Sequence, residues 1–190
     1  MSDQPRRKNT ALVGERVSLR RPTKRDLEEF TALNRASVRL HRGLASPPTN
    51  AEEFARYLNR SRRQDCACFL ICLAEGGSIV GSINLSQMFL GGFQNAYLGY
   101  YVGAQYSRRG YMTEAIELML RYAFEDLKLH RLEANIQPHN AASIGLVKRV
   151  GFVREGYSRR YLKVCGRWRD HERWAIIAED WRTRRKRIGQ

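Results

Sequence analysis

An aromatic strand runs into an amphipathic helix through a basic, glycine-containing turn, and this junction restricts the chain more than any other segment. Tyr97-Leu98-Gly99-Tyr100-Tyr101-Val102 has the composition of a strand. Ala115, Leu118, Met119, Tyr122 and Ala123 recur at i, i+3, i+4, i+7 and i+8, the apolar stripe of a helix beginning near Met112. Between them lies Ser107-Arg108-Arg109-Gly110-Tyr111-Met112-Thr113-Glu114. A helix N-terminus presents free backbone N–H groups and about half a positive charge, so a basic turn there suits phosphate. Gly110 allows close backbone approach or positive φ. Arg108 and Arg109 can neutralise phosphate. A nucleotide-bearing ligand, and hence an enzyme, is the expectation; an ordinary basic loop is the competing reading of this segment alone.

The flanking patterns define the rest. Glu15–Arg20 alternates as a strand. Thr23 and Asp26 resemble a capping box ahead of Leu27, Phe30 and Leu33. Asn50 or Thr49 caps a second helix through Phe54, Tyr57 and Leu58. Cys66–Leu73 reads as a buried strand that returns, after Glu75-Gly-Gly-Ser78, as Ile79–Leu85. Past the central helix, Leu132–Gln137 is a strand, and Asn140 caps a helix through Ile144, Val147 and Val150 that ends at Gly151. Tyr157–Val164 and Trp168–Ile177 form a hairpin about Cys165-Gly166. Seven strands and four helices in this order imply an α/β (α+β) fold with a mixed sheet. The 190 residues suit one domain over 10–181, between a basic flexible N-terminus (1–9) and a basic C-terminal tail (182–190).

The net charge is +15, and Arg6, Arg7, Lys8, Arg182, Arg184, Arg185, Lys186 and Arg187 put much of it in the two tails. Such tails fit RNA or another anionic partner, or serve solubility alone. No RNA-binding motif accompanies them. No apolar run reaches the roughly 18 residues a bilayer span needs, and Met1–Thr10 lacks a signal-peptide core, so no membrane contact and a cytoplasmic location are expected. Cys66, Cys68, Cys72 and Cys165 make no zinc pattern, so no metal is expected, and reduced thiols are.

Asn140-Ala-Ala-Ser143 sets two polar side chains on one edge of a helix start, in the same strand-to-helix setting as the basic turn. With Gly110-Tyr-Met-Thr-Glu-Ala115, Lys148-x-x-Gly151-Phe152, Glu155-Gly156, Tyr161-Leu162 and Gly166-Arg-Trp-Arg-Asp-His171, it resembles the GNAT superfamily of N-acetyltransferases. The likeness runs from about Glu15 to Trp181 and is strongest to the RimJ/RimL-like branch, which acetylates protein N-termini. Of the strict cofactor motif only Gly110 is kept; Ser107 stands for Gln/Arg and Met112 for a small residue.

The resemblance implies a mostly antiparallel sheet and acetyl-CoA as co-substrate. It places the pyrophosphate on the backbone of Arg108, Arg109, Gly110, Tyr111, Met112 and Thr113, and the thioester along Tyr101, Val102 and Gly103. Asn140 would hold the pantetheine arm, and Ser143 would hydrogen-bond the leaving thiolate. The implied acceptor is a protein N-terminus, that of a ribosomal protein among them. The base is open among Asp170, His171, Glu133 and His139, with Asp170 ranked first. Transfer to a small amine such as an aminoglycoside or polyamine, or a ribosome- or RNA-associated role with weak turnover, are the alternatives. The oligomeric state stays open between monomer and homodimer.

Overall fold

A computed structural model describes residues 11–188. One eight-stranded sheet runs through the molecule in the order β1-β2-β3-β4-β5-β6-β8-β7. Its strands are β1 (Leu12–Val13), β2 (Val17–Arg20), β3 (Ala67–Leu73), β4 (Ile79–Phe89), β5 (Asn95–Val102), β6 (Arg131–Ile136), β7 (Val153–Val164) and β8 (Arg167–Ile177). Every pairing is antiparallel except β5 with β6. The helices are α1 (Leu27–Ala36), α2 (Val38–His41), α3 (Ala51–Ser61), α4 (Tyr111–Arg121), α5 (Ala141–Arg149) and α6 (Ala178–Ile188).

Period-two alternation sorts the sheet's side chains onto two faces. Ala96, Leu98, Leu132, Ala134, Ile136, Trp174 and Ile176 meet Ala115, Ile116 and Met119 of α4, Val147 of α5 and Trp181 of α6. On the opposite face Cys68, Leu70 and Cys72 meet Phe30 and Leu33 of α1 and Phe54, Tyr57 and Leu58 of α3. The apolar stripe of α4 is buried as its spacing predicts, with Ala115, Met119 and Ala123 fully so. Asn50 caps α3 through Glu53 N (3.0 Å). Thr23 N and Oγ1 both donate to Asp26 Oδ2 (2.6 and 3.0 Å). The Arg20 guanidinium grips the same carboxylate at 2.6 and 3.0 Å and holds it below the usual carboxylate range against its own burial.

Three elements exceed the sequence expectation. β1 has two residues and α2 one turn, both too short for a periodic signal. The third is α6, which extends over residues expected as a tail. Trp181 is buried against Phe124, Arg184 pairs with Glu117 (2.7 Å) and Arg185 with Glu125 (2.5 Å). Residues 1–9 lie outside the described residues. Cys66, Cys68 and Cys72 are buried free thiols. Among the described residues no helix is long and apolar enough to cross a membrane.

Candidate active site

The parallel pair β5–β6 makes the site. It holds for three residues, Asn95↔Arg131 to Tyr97↔Glu133, and then the strands part. Gly103 N donates to Val80 O (2.8 Å), which fixes the antiparallel ladder on the β4 side of β5. Ladder bonds alternate, so the N–H and C=O of Leu98, Tyr100 and Val102 turn away from β4 toward β6. Beyond Tyr97 no β6 residue pairs with them. Val102 O is taken by His41 Nε2 (2.9 Å). The backbone groups left open to a ligand are therefore those of Leu98 and Tyr100 and the N–H of Val102; of the stretch Tyr101–Gly103 expected from the sequence, Tyr101 and Gly103 turn theirs to β4.

A cavity of about 600 Å³ fills the gap. Leu98–Tyr101 and Ala134–Gln137 form its two walls, Asn140 and Ser143 of α5 one end, and Tyr57, Asn84 and His171 the other. Ser143 Oγ lies 2.5 Å from Tyr100 Oη. Asn140 caps α5 through its Oδ1, which accepts from Ser143 N (3.1 Å). Burial pushes the Tyr100 phenol up to about 12, so it stays protonated and either hydroxyl of the pair can donate. The Tyr101 ring stacks toward Phe30 (6.2 Å) and meets His41 edge-on (5.3 Å), so it borders the cavity from the face of α1 and α3.

The turn between β5 and α4 has the shape a phosphate site needs. Arg108 (φ 60°) and Gly110 (φ 83°) are both left-handed, and Gly110 is the N-cap of α4. The N–H groups of Tyr111, Met112 and Thr113 in the first turn have no intrahelical acceptor. Arg108 and Arg109 are exposed. Arg16 anchors the turn from the residue before β2: its Nη2 donates to Arg109 O (2.6 Å), its backbone N–H donates to Glu114 Oε1 (2.8 Å), and its guanidinium lies 4.9 Å from the Tyr111 ring centre. Met112 points into the core, so a bulky residue at this motif position leaves the backbone site open. Arg16 itself carries no local sequence signal; its partners are more than 90 residues away.

Of the candidate bases, only His171 lines the cavity. Asp170 is engaged on the hairpin, where its carboxylate accepts from Tyr157 Oη (2.5 Å) and Arg160 N (2.7 Å). Glu133 pairs with Arg131 (2.9 Å), and His139 is exposed beyond β6. His171 is 3% exposed, and burial lowers its pKa from the ordinary histidine value. Its Nδ1 lies 3.0 Å from Arg169 O. A neutral ring donates there, which leaves the Nε2 lone pair bare. At the same end of the cavity Tyr57 Oη meets Ser82 Oγ at 3.0 Å and Asn84 Oδ1 at 3.4 Å.

These features fit a pantetheine-linked nucleotide: an open strand edge for the amide arm, a basic helix start for the diphosphate, and a hydroxyl pair where the edge and α5 meet. A family model described as an acetyltransferase (GNAT) domain matches residues 16–153. The Bacillus subtilis protein named probable N-acetyltransferase YjcK is 35% identical over 129 residues, covering 68% of this chain and 71% of its own. The [ribosomal protein uS5]-alanine N-acetyltransferase of Escherichia coli is 41% identical over 103 residues, 54% of this chain and 53% of that protein. The structure of Mycobacterium smegmatis RimJ in complex with CoA-disulfide superposes with a TM-score of 0.79 at 28% identity, covering 91% and 89% of the two chains. The chain belongs to the GNAT family and is an acetyl-CoA-dependent N-acetyltransferase.

Proposed function

We propose that the chain acetylates the N-terminal α-amine of a protein, a ribosomal protein being the foremost class. The observation that carries this is the charge of the cavity lining, which is net positive. Its charged lining residues are Glu53, whose Oε2 accepts from Thr49 N and Oγ1 (2.7 and 2.9 Å), and the cationic Arg56 and Arg60. A polycationic amine meets two cations against one carboxylate there, which weighs against polyamine and aminoglycoside acceptors. The similarity to a uS5-alanine N-acetyltransferase supports the same reading.

Acetyl-CoA supplies the thioester and the thiolate leaving group. Asn140 and the outward backbone groups of Leu98 and Tyr100 hold the pantetheine arm, and Arg108, Arg109 and the first N–H groups of α4 hold the diphosphate. Tyr100 donates to Ser143 Oγ, which turns the Ser143 proton toward the sulfur and strengthens it as a donor. His171 Nε2 takes the proton from the attacking nitrogen. The Asp170 carboxylate, turned to Tyr157 and Arg160, serves the hairpin instead. The domain takes in α6 as well, through Trp181, Arg184 and Arg185.

The test is coenzyme A release from acetyl-CoA with N-terminal Ala and Ser peptides, spermidine and kanamycin side by side. Turnover confined to the peptides is expected; spermidine or kanamycin turning over faster than every peptide refutes the reading. Ser143→Ala is expected to lower kcat about 100-fold, the loss of one donor at a developing anion. His171→Gln removes the acid limb of the pH–rate profile. Because burial lowers the His171 pKa, that limb lies below the ordinary histidine value of about 6.5, with activity falling as pH drops through it. A limb unchanged in His171→Gln excludes His171 as the base.

A second reading concerns contact with RNA or the ribosome. Arg182, Lys186 and Arg187 of α6 are exposed and make no ion pair among the described residues. Their cationic side chains support such a contact, and salt-dependent binding to a ribosomal RNA fragment tests it.

A further inference from the structure

A second cavity of about 290 Å³ shares Leu98, Gly99 and Asn135 with the larger one. The rest of its wall is Ser86, Gln87, Tyr97, Tyr161 and Leu162, so no ionised side chain borders it. Strand parity places this cavity. The even residues of β6, Leu132, Ala134 and Ile136, enter the core beneath α4 and α5. Asn135 points to the other face, across from Arg173 and on the side of His171. Gly99, paired with Asn84, opens on that same face. The second cavity therefore lies on the acceptor side of the sheet, away from Ser143.

Asn135 has no structural task that explains it. Its Oδ1 is shut off from solvent and takes no hydrogen bond. Most buried carbonyl oxygens find a donor, because leaving one unpaired is costly. Asn135 lines two joined cavities, and a rotation of its amide presents this orphaned acceptor to a donor that enters them. An amino group about to be acetylated is such a donor, and so is the first peptide N–H behind it.

We propose that Asn135 accepts a hydrogen bond from the acceptor's amino terminus and that the second cavity receives the acceptor's first side chain, which has to be uncharged. The inference rests on the reading of the acceptor as a peptide N-terminus and adds a selection rule to it. Ser, Gln, Asn and Tyr side chains can hydrogen-bond a hydroxyl or surround a methyl group. They offer no counter-charge to a buried Asp, Glu, Lys or Arg side chain, and an unpaired buried charge is strongly disfavoured. Gly99 gives the space. A Cβ built there meets no atom within 4 Å, and its φ is not left-handed. Valine at this position is therefore compatible with the strand and occupies the acceptor's volume.

The experiment uses the full chain and peptides that differ only in residue one: Gly, Ala, Ser, Thr, Asp and Lys. Uncharged first residues are expected to exceed Asp and Lys in kcat/KM at least tenfold, the order of effect when a buried charge lacks a partner. Asn135→Leu is expected to raise KM for Ala and Ser peptides about tenfold, one lost hydrogen bond to a bound amine, with the Kd of acetyl-CoA unchanged. Gly99→Val is expected to penalise Thr more than Ala and Ala more than Gly, again with acetyl-CoA binding intact. Equal rates for Ala, Asp and Lys peptides overturn the proposal, as does a Gly99→Val enzyme with the wild-type size order. Should Asn135→Leu fail to fold, Gly99→Val and the peptide series decide alone. If no peptide turns over while a small amine does, the α-amine reading falls; if peptides turn over without regard to Asn135, Gly99 or residue one, only this inference falls.

Discussion

Gly81→Ala is expected to destabilise the protein by about 3 kcal/mol, the cost of forcing extra volume into packed backbone. In a domain of this size that lowers the melting temperature by about 6–12 °C. Gly81 stands on β4 opposite Val102. A Cβ there lies 2.4 Å from Tyr101 O and 3.0 Å from Val102 Cα, both backbone atoms that no rotamer change can move. Relief requires β5 to shift away from β4, toward the gap it shares with β6. Acetyl-CoA binding is therefore expected to weaken together with stability, because the displaced strand is the one whose free edge borders the cavity. Thermal melting and an acetyl-CoA titration check the two effects; a melting temperature within about 2 °C of wild type shows that β4 and β5 adapt in place.

Reversing both turn cations, Arg108→Glu with Arg109→Glu, is expected to weaken acetyl-CoA binding about 100-fold at low salt. Both side chains are exposed and make no hydrogen bond of their own among the described residues, so the fold does not depend on them. The left-handed φ of Arg108 is no harder for glutamate than for arginine. Raising the salt concentration narrows the difference from wild type, because screening acts on exposed charges. Acetyl-pantetheine, which has no nucleotide diphosphate, is the control donor: its kcat/KM is expected to be the same in both proteins. An equal loss with acetyl-pantetheine locates the damage elsewhere and removes the turn from the diphosphate site.

Features set by neighbours in the chain are legible in the sequence itself. The α4 stripe, the Asn50 and Asn140 caps and the Cys165-Gly166 turn, whose φ angles are 48° and 78°, depend on residues within a few positions of one another. Features that depend on register are not legible there. Tyr100 meets Ser143 from 43 positions away, and Arg16 reaches the phosphate turn from 93. The candidate bases illustrate the difference most sharply. Asp170 and His171 are adjacent, so in a strand they face opposite sides. Trp174 and Ile176 are in the core beneath α4 and α5, which puts Asp170 on that side by parity and His171 on the other. The alternation is visible in the sequence; which side holds the acceptor depends on where β5 and β6 part, a long-range pairing that no local pattern encodes. The C-terminal helix is hidden by composition, since its arginines outweigh the single buried Trp181 in any local reading.

The parting of a strand pair after three residues has an evolutionary consequence. Along β5 the side chains alternate between the two sides of the sheet, while its backbone edge serves the cofactor. Gly99 borders the acceptor space, whereas Tyr100 meets Ser143. A substitution at one parity can change what is acylated without disturbing what delivers the acyl group. Two binding functions that mutate independently on one strand let a lineage exchange acceptors by single steps, each intermediate retaining a working donor site.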